Sequence, residues 1–196
     1  EVFEQRQAAQ AAERDRMMLQ ALAGELQDPE TSWIGGDPEG DVTVIEFMDY
    51  RCGYCRRAHP EVEELIASDG DIRYVLKEFP ILGEQSVLAA RFAIATRLVE
   101  GDAAYKRMHD ALMTMQGDIN ELSLELMAEE MGFKAEAIAA RLGDEEVTAV
   151  IRANHALAQQ LQINGTPSYV FGSELVRGYV PLDGMRQIVA EIRQEG

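Results

Sequence analysis

The order of apolar and polar positions predicts two strands with a helix between them early in the chain. Residues 42–48 and 72–79 are short, mostly apolar runs with many β-branched side chains, which is typical of strands covered on both faces. Residues 52–68 lie between them and predict a helix interrupted by Pro60. A strand, a helix and a strand at this spacing form a right-handed βαβ unit with parallel strands.

The middle of the chain changes to a helical pattern without any strand signal. The predicted helices cover residues 85–99, 103–115, 120–131, 134–142 and 145–161, and glycines separate most of them. Strands resume as a hairpin over residues 168–171 and 174–177, and a last helix begins near Pro181. A helical block therefore interrupts an α/β domain.

The start of the chain, residues 4–27, predicts a helix because it is rich in Ala, Gln, Glu, Arg, Met and Leu and contains no proline. Its larger apolar side chains, Leu19, Leu22 and Leu26, follow a helical spacing. Asp15 interrupts this seam, and the first half carries only alanines at the seam positions. Two uses stay open: docking on the chain's own domain through the leucine end, or association with another copy of the chain.

The composition narrows the possible functions. A chain of 196 residues with 46% hydrophobic residues is long enough for one sizeable core, or for a domain with an insertion. The 18 Lys and Arg against 35 Asp and Glu give a net charge of −17, which argues against a nucleic-acid partner because phosphates repel such a surface. No apolar run approaches the roughly 20 residues that span a bilayer. The chain begins at Glu1 without an apolar leader, which fits a mature exported protein or a trimmed chain.

The two cysteines stand three positions apart, as Cys52-Gly53-Tyr54-Cys55, between the first strand and its helix. A thiol at a helix N-terminus is stabilised as a thiolate by unpaired N–H groups and by the helix dipole. Covalent haem attachment is excluded because Arg56 stands where a histidine is required. A structural disulfide in so small a loop would add little stability, and a zinc site would need further ligands from the histidines. These two remain the weaker alternatives to a redox dithiol that needs no metal and no cofactor.

A second element lies far from the cysteines in sequence, at Gly165-Thr166-Pro167-Ser168 before the late hairpin. A proline at the entrance of a strand cannot donate to the sheet, so its position needs a local reason. A cis peptide bond opposite an active site is one such reason, and an ordinary trans proline at a sheet edge is the alternative.

Together these motifs resemble the DsbA-like branch of the thioredoxin superfamily. The matching pieces are the strand 44–47, the run 49–55, Pro60, the inserted helices, Thr166-Pro167 and the strand that begins at Tyr169. The resemblance implies an α/β thioredoxin fold with an inserted helical domain and an extra N-terminal helix. It also implies a reversible disulfide between Cys52 and Cys55, Pro167 in cis, and export to the bacterial periplasm.

The resemblance divides the chain into four parts. These are an N-terminal helix over residues 1–28, the first part of the thioredoxin-like domain over 29–83, the inserted helical domain over 84–162, and the second part of the thioredoxin-like domain over 163–196. Residues 28–41 contain several prolines and glycines, and we expect them to form a linker or loop.

The same resemblance, with thiol chemistry, gives the site residues their roles. We expect Cys52 to attack and to form the mixed disulfide with substrate, and Cys55 to resolve it. Thr166 and Pro167 would present an edge against which an extended substrate chain pairs.

Glu46 is an anomaly in the apolar strand 42–48, because a buried carboxyl is costly unless it has a partner. We expect Glu46 to relay protons to or from Cys55, with Lys77 on the neighbouring strand as its partner. A purely structural ion pair between Glu46 and Lys77 is the alternative.

The dipeptide Gly53-Tyr54, which would tune the reduction potential, and Thr166 before the proline depart from the strong oxidase DsbA. They resemble disulfide isomerases of the DsbC and ScsC type. The predicted function is a thiol:disulfide oxidoreductase whose isomerase activity depends on the N-terminal helix. A plain DsbA-like oxidase and a non-catalytic chaperone or metal-handling module are the alternatives. The expected partners are unfolded or misoxidised exported proteins, a redox partner protein and a second copy of the chain.

Overall fold

A five-stranded mixed sheet with helices on both faces organises residues 2–196, which the computed structural model describes. The strands are β1 (Trp33–Gly36), β2 (Val42–Met48), β3 (Ile72–Glu78), β4 (Ser168–Phe171) and β5 (Glu174–Arg177). The helices are α1 (Val2–Ala21), α2 (Ala23–Leu26), α3 (Gly53–Asp69), α4 (Glu84–Glu100), α5 (Asp102–Thr114), α6 (Glu121–Glu130), α7 (Ala135–Ala139), α8 (Glu145–Gln160) and α9 (Leu182–Glu195). The strand order in the sheet is β1-β3-β2-β4-β5.

The centre of the sheet is the predicted βαβ unit. β2 and β3 pair in parallel, and α3 connects them. β4 pairs antiparallel with β2, and β5 pairs antiparallel with β4 as the predicted hairpin. The strand predicted over residues 72–79 ends one residue earlier, at Glu78, and the other three predicted strands have the expected bounds. The prediction of an α/β sheet interrupted by helices is therefore confirmed.

The expectation of a loop over residues 28–41 is wrong, because this segment contains β1. β1 pairs antiparallel with β3, with Trp33 opposite Leu76. The Trp33 ring packs edge-on against Tyr74 and stacks on Tyr105, with ring centroids 6.2 and 6.1 Å away. Four residues with two glycines carry little intrinsic strand signal, so the partner strand and the aromatic contacts decide the conformation.

Side chains alternate between the two faces of the sheet, and each face has its own hydrophobic core. The larger core combines even-numbered residues of β2 and β3, among them Val44, Met48, Tyr74 and Leu76, with α3, the helices between β3 and β4, and α9. The smaller core combines odd-numbered residues such as Ile45, Phe47 and Val75 with the start of the chain and the end of α8. The cysteines belong to the larger core.

The single helix predicted over residues 4–27 is divided into α1 and α2. Leu19, Leu22 and Leu26 are buried in the smaller core, so the leucine end docks on the chain's own domain. Asp15, which interrupts the predicted seam, forms a two-fold hydrogen-bonded ion pair with Arg177 at the end of β5. Residues 2–10 of α1 are all exposed.

The helices α4–α8 lie between β3 and β4, where the sequence predicted five helices. Their bounds agree with the predictions within one or two residues, except that α7 is limited to Ala135–Ala139. α4 is the central one, because eight of its residues are buried, most of them small: Ser86, Ala89, Ala90, Phe92, Ala93, Ile94, Ala95 and Thr96. Among the described residues, no helix combines the length and the apolar character needed to cross a membrane.

Candidate active site

Cys52 occupies the N-cap position of α3. Its backbone is extended, with φ −75° and ψ 118°, and its sulfur accepts a hydrogen bond from the Cys55 backbone N–H over 3.3 Å. The Cys52 N–H donates to the Asp49 carbonyl over 3.1 Å, which closes the turn between β2 and α3. The first-turn N–H groups of α3 have no helical partner, so they favour a negative charge on this sulfur. Both cysteines are free thiols.

The surroundings of Cys52 stabilise its thiolate. A hydrogen bond from the Cys55 thiol is the largest of the causes that lower the pKa of Cys52 from 9.0 to about 6. The Thr166 side chain and the backbone N–H groups of Cys55 and Tyr54 act in the same direction, and partial burial opposes them. In its thiol form, Cys52 donates to the Thr166 carbonyl oxygen over 3.2 Å. Cys52 is therefore mostly ionised at neutral pH.

Cys55 has the opposite environment one turn further along α3. Its side chain is fully buried in the larger core. Burial is the main cause that raises the pKa of the Cys55 thiol far above its ordinary value, and the hydrogen bond to Cys52 and the negative charge of Glu46 add to it. The two thiols therefore differ as a nucleophile and a resolving thiol must differ.

The loop that faces Cys52 contains a cis peptide bond between Thr166 and Pro167. Pro167 is buried and Thr166 is half-buried. The Gly178 N–H donates to the Pro167 carbonyl over 3.0 Å, and the Ser168 hydroxyl donates to the Gly165 carbonyl over 2.9 Å. These bonds hold the loop against the end of β5, and the Thr166 carbonyl is left facing the Cys52 sulfur.

The dipeptide between the cysteines lies at the surface. A Cβ atom on Gly53 would have no neighbour within 4 Å, and Tyr54 is 59% exposed. The Tyr54 ring packs at a tilt against Tyr179, with centroids 5.7 Å apart. The Tyr179 hydroxyl donates to Glu61 over 2.6 Å, and the Arg57 guanidinium lies 5.1 Å from the centre of the Tyr179 ring. An exposed aromatic ring therefore lies between the two cysteines, and a second ring, that of Tyr179, packs against it and was not predicted.

Glu46 is buried on the same face of the sheet as Cys55. The Tyr74 hydroxyl donates to its carboxylate. Burial raises the pKa of Glu46 from 4.5 to about 7, and the bond from Tyr74 opposes this rise. The charges of Glu46 and Cys55 affect each other, because Glu46 is one of the causes that raise the pKa of Cys55.

The predicted pair between Glu46 and Lys77 is wrong. In the parallel register of β2 and β3, Glu46 lies opposite Leu76, so Lys77 points to the other face of the sheet. There its ammonium donates to the Glu25 carbonyl over 3.0 Å and to the Thr31 hydroxyl over 3.1 Å. Burial lowers the pKa of Lys77 from 10.5 to about 8. Lys77 therefore fastens the end of α2 and takes no part in the site.

Asp49, at the end of β2, fixes the loops around the cysteines, and the sequence did not reveal this role. One carboxylate oxygen accepts from the Arg51 N–H over 2.7 Å and from the Ser86 hydroxyl over 2.8 Å. The other accepts from the N–H groups of Ile81 and Leu82 over 2.8 and 3.1 Å. The position of an aspartate between a strand and the CxxC motif is a signal for such a role, but its partners are distant in sequence.

Arg56 connects the site to the inserted helices. Its guanidinium donates to the carbonyls of Tyr50, Leu112 and Met115, over 2.7, 3.2 and 2.5 Å. The Arg51 guanidinium donates to the Gly117 carbonyl over 3.1 Å. These arginines therefore hold the turn before α3, and α3 itself, against the end of α5 and the segment that follows it.

A second buried carboxyl, Glu78, lies at the end of β3. It accepts hydrogen bonds of 2.6 Å from the hydroxyls of Tyr50 and Tyr105, and burial raises its pKa to about 8. The Tyr50 hydroxyl also lies 3.0 Å from His109 Nδ1. Burial lowers the pKa of His109 to about 3. This polar group adjoins the active-site turn, and no sequence motif indicated it.

The structure combines a mixed sheet of this order, a dithiol at a helix N-terminus and a cis-proline loop that faces it. This combination is characteristic of thioredoxin-fold proteins. Residues 43–190 match the family model of the DSBA-like thioredoxin domain. The chain therefore belongs to the DSBA-like thioredoxin family, a family of thiol–disulfide exchange. The predicted fold class and the predicted family are confirmed.

Solved structures and a curated relative extend the similarity. A thioredoxin-like oxidoreductase from Silicibacter pomeroyi DSS-3 is 44% identical with a TM-score of 0.81, covering 87% of this chain and 97% of that one. The catalytic domain of ScsC from Proteus mirabilis is 25% identical with a TM-score of 0.80, covering 90% of this chain and 97% of that one. The Na(+)/H(+) antiporter NhaA 3 of Salinispora tropica is 27% identical over 196 residues, which cover 94% of this chain. The chain spans about 30% of the length of that curated relative.

Proposed function

We propose that this chain is a protein thiol:disulfide oxidoreductase that exchanges a disulfide between Cys52 and Cys55 with substrate proteins. The observation that carries the proposal is the contrast between the two thiols. Cys52, at the helix N-terminus, has a pKa of about 6, whereas burial keeps Cys55 protonated at neutral pH. A thiolate attacks and leaves readily, and its resolving partner stands one helical turn away.

In the oxidising direction, a substrate thiolate attacks the Cys52 sulfur of the protein disulfide. The bond between the two protein sulfurs breaks, and Cys55 leaves as a thiolate and takes up a proton. A second substrate thiolate then attacks the substrate sulfur of the mixed disulfide, and Cys52 leaves as a thiolate. Two electrons pass from the substrate dithiol to the protein, and the reducing direction is the reverse sequence.

We assign to Glu46 the transfer of a proton to and from Cys55. It is buried on the same face of the sheet, its pKa of about 7 lets it both give and accept a proton near neutral pH, and its charge is coupled to that of Cys55. In the oxidising direction Glu46 gives a proton to the leaving thiolate of Cys55. The hydrogen bond from Tyr74 holds the carboxyl in place.

The surface around Cys52 suits an extended substrate chain. Thr166 and Pro167 form a loop edge at the start of β4, and its residues bind a backbone by strand-like pairing. The exposed side chain of Tyr54 lies between the cysteines, and that of Leu82 lies on the segment whose N–H groups donate to Asp49. Backbone pairing with apolar contacts accepts chains of many sequences, as an enzyme that acts on unfolded or misoxidised proteins requires.

The decisive experiment traps the mixed disulfide that forms when the Cys52 thiolate attacks a disulfide of a misoxidised protein such as scrambled ribonuclease. The variant C55S cannot resolve the mixed disulfide, so we expect it to accumulate a covalent complex that a reductant releases. The matched variant C52S should form no complex, and the intact chain should turn over insulin or scrambled ribonuclease. Equal trapping by C52S and C55S would contradict the assignment of the nucleophile. A chain without any thiol-dependent rate would favour a non-catalytic chaperone or metal-handling module.

We further propose that the activity is that of an isomerase and depends on α1. The dipeptide Gly53-Tyr54 and Thr166 support this specialisation, as does the similarity to the catalytic domain of ScsC. The exposed first half of α1, with Val2 and Phe3 at 65% and 72% exposure, offers an apolar surface for a second copy of the chain.

The test removes residues 1–14, which keeps the docked leucines and the pair between Asp15 and Arg177. We expect a lower mass by light scattering and slower refolding of scrambled ribonuclease, with thiol alkylation unchanged. An intact chain that is monomeric and oxidises reduced substrates without unscrambling them would support the plain oxidase instead.

The expected substrates are unfolded or misoxidised exported proteins, and the expected compartment is the periplasm, where disulfides persist. A redox partner protein is required, because each net oxidation or reduction of substrate leaves the dithiol of Cys52 and Cys55 in the other state. The family assignment supports both expectations. The test is whether the redox state of the dithiol in periplasmic extracts changes when membrane oxidases or reductases are removed.

A further inference from the structure

Two histidines and an aspartate meet between α3 and α5, and His59 stands one helical turn after Cys55 on α3. His59 Nε2 lies 3.2 Å from Asp110 Oδ1, and the rings of His59 and His109 meet edge to face with centroids 5.3 Å apart. The ligand atoms offered by His59, His109 and Asp110 all lie within 4.8 Å of one another. The two histidines are 50 positions apart in sequence, so no spacing motif marks the cluster.

One atom of this cluster is unsatisfied. His109 is 1% exposed, and its Nδ1 lies 3.0 Å from the Tyr50 hydroxyl. Its Nε2 is buried and has no hydrogen-bond partner within the described part of the chain. A buried imidazole nitrogen without a partner is costly. The tyrosine at Nδ1 also resembles the outer partners that orient a metal-binding imidazole through its other ring nitrogen.

The cluster is open on one side. The Asp110 side chain is 43% exposed and that of His59 is 12% exposed, so an ion can reach the cluster from solvent past the carboxylate. Metal–ligand bonds of about 2.0–2.2 Å need donor atoms closer together than the cluster has them, and a small rotation of the His59 ring provides this approach. His59 is at the half-buried surface of α3, so its ring is the one that moves toward the other two ligands.

Lys106 is the existing cation at this place. Its ammonium lies 2.6 Å from Asp110 Oδ1 and 2.9 Å from Glu63 Oε1. A metal ion at the cluster would therefore compete with Lys106 for the carboxylate. The long, flexible stem of a lysine lets the ammonium keep its contact with Glu63 while it leaves Asp110.

We propose that His59, His109 and Asp110 form a binding site for one divalent transition-metal ion, with Zn²⁺ as its representative. Two imidazoles and one carboxylate are the ligand types that zinc accepts, and a water molecule completes the four positions. The site uses no thiol as a ligand, and it connects α3, which carries the cysteines, to α5 of the inserted helices. The ion therefore stabilises the contact between the two parts of the chain.

The experiment titrates Zn²⁺ into the variant C52S/C55S by calorimetry near neutral pH, so that no thiol contributes. We expect one saturable equivalent. The variants H59Q and D110N, made in the same background, should each bind at least about tenfold more weakly, because each loses one of three ligands. K106Q should bind several-fold more tightly, since its competing cation is gone. His155, the third histidine, lies on α8, and the variant H155Q is the matched control with unchanged affinity.

A second readout checks folding in the same samples. Zn²⁺ should raise the thermal midpoint of the parent variant and of H155Q, and it should raise that of K106Q further, because an ion that binds only the folded state stabilises it by mass action. At the same Zn²⁺ concentration, the midpoints of H59Q and D110N should rise clearly less than that of the parent. The proposal fails if the parent binds no saturable equivalent, if it shows only weak binding to many sites of the acidic surface, or if H59Q retains the affinity of H155Q.

Discussion

The two faces of the sheet each bury an ionisable group on neighbouring strands, and the two groups serve different purposes. Glu46 faces the larger core, accepts from Tyr74 and is electrostatically coupled to Cys55. Lys77 faces the smaller core and donates to Glu25 and Thr31 near the start of the chain. Burial alone therefore does not mark a functional group, because the face on which it lies decides whether the thiols feel its charge.

The largest expected effect is on stability against pH, where the two groups act in opposite directions. The pKa of Glu46 is raised from 4.5 to about 7, so its contribution is fully present below pH 4.5 and is lost as the pH rises through 7. The pKa of Lys77 is lowered from 10.5 to about 8, so the unfolded chain binds more protons between these values and stability rises with pH there. Each shift corresponds to about 3 kcal/mol across its window.

Chemical denaturation over the pH range measures both slopes. We expect E46Q to flatten the decline in the free energy of unfolding below neutral pH, where Glu78 contributes a second decline of the same sign. K77M should flatten the rise in the free energy of unfolding above pH 8 and leave its pH dependence below neutral pH unchanged. If K77M also changed the pH dependence below neutral pH, the conclusion that the two faces of the sheet act independently would be contradicted.

The next effect concerns the reaction itself. E46Q removes the proton carrier for Cys55, so we expect resolution of the mixed disulfide to slow by at least about tenfold near neutral pH. K77M should change this rate by less than about twofold, because its ammonium lies on the opposite face of the sheet. Rapid-quench measurement of a single turnover gives both rates. Equal slowing in E46Q and K77M would mean that lost stability, and not proton transfer, limits the reaction.

The smallest effect concerns the hydroxyl that supports Glu46. Tyr74 lowers the pKa of Glu46 by donating to its carboxylate, so Y74F should raise that pKa by about one pH unit. The carboxyl carbon of Glu46, followed by NMR with labelled glutamate, reports the titration. Y169F is the matched control, since the Tyr169 hydroxyl is buried without a hydrogen-bond partner among residues 2–196. An identical titration in Y74F and in the intact chain would contradict the role of Tyr74.

The elements with a strong local signal were predictable from the sequence. Short apolar runs rich in β-branched side chains marked the central strands, and a helical pattern divided by glycines marked the inserted helices. The pairing of Cys52-Cys55 with Pro167 indicated the family. Strand β1 was missed because its four residues become a strand only through the edge of β3 and the aromatic contacts of Trp33. Pairing with β3 therefore determines the conformation of β1 more than the strand propensity of its own residues does.

Contacts that depend on register and on distant elements were not predictable. Lys77 was predicted to pair with Glu46 because the two residues lie on neighbouring strands. The actual register places Glu46 opposite Leu76, so Tyr74 and Leu76 share the face of Glu46 and Lys77 lies on the other face. Groups on the segment after β3 and on α4 donate hydrogen bonds to Asp49, and no local sequence pattern reveals these contacts. The thiols themselves were assigned from chemistry, and their environments differ in the sense that this chemistry requires.

The ion pair between Asp15 and Arg177 gives α1 a fixed point of departure from the sheet. The helix before that point contains residues 2–14, and a rise of about 1.5 Å per residue makes it a projecting rod of about 20 Å. Because the helix is fixed at this end, both its direction and its length relative to the sheet are set. A partner bound at the end of this helix would therefore be held at a set distance and angle from Cys52, and in the proposed assembly the length of the helix would set the spacing of the active sites.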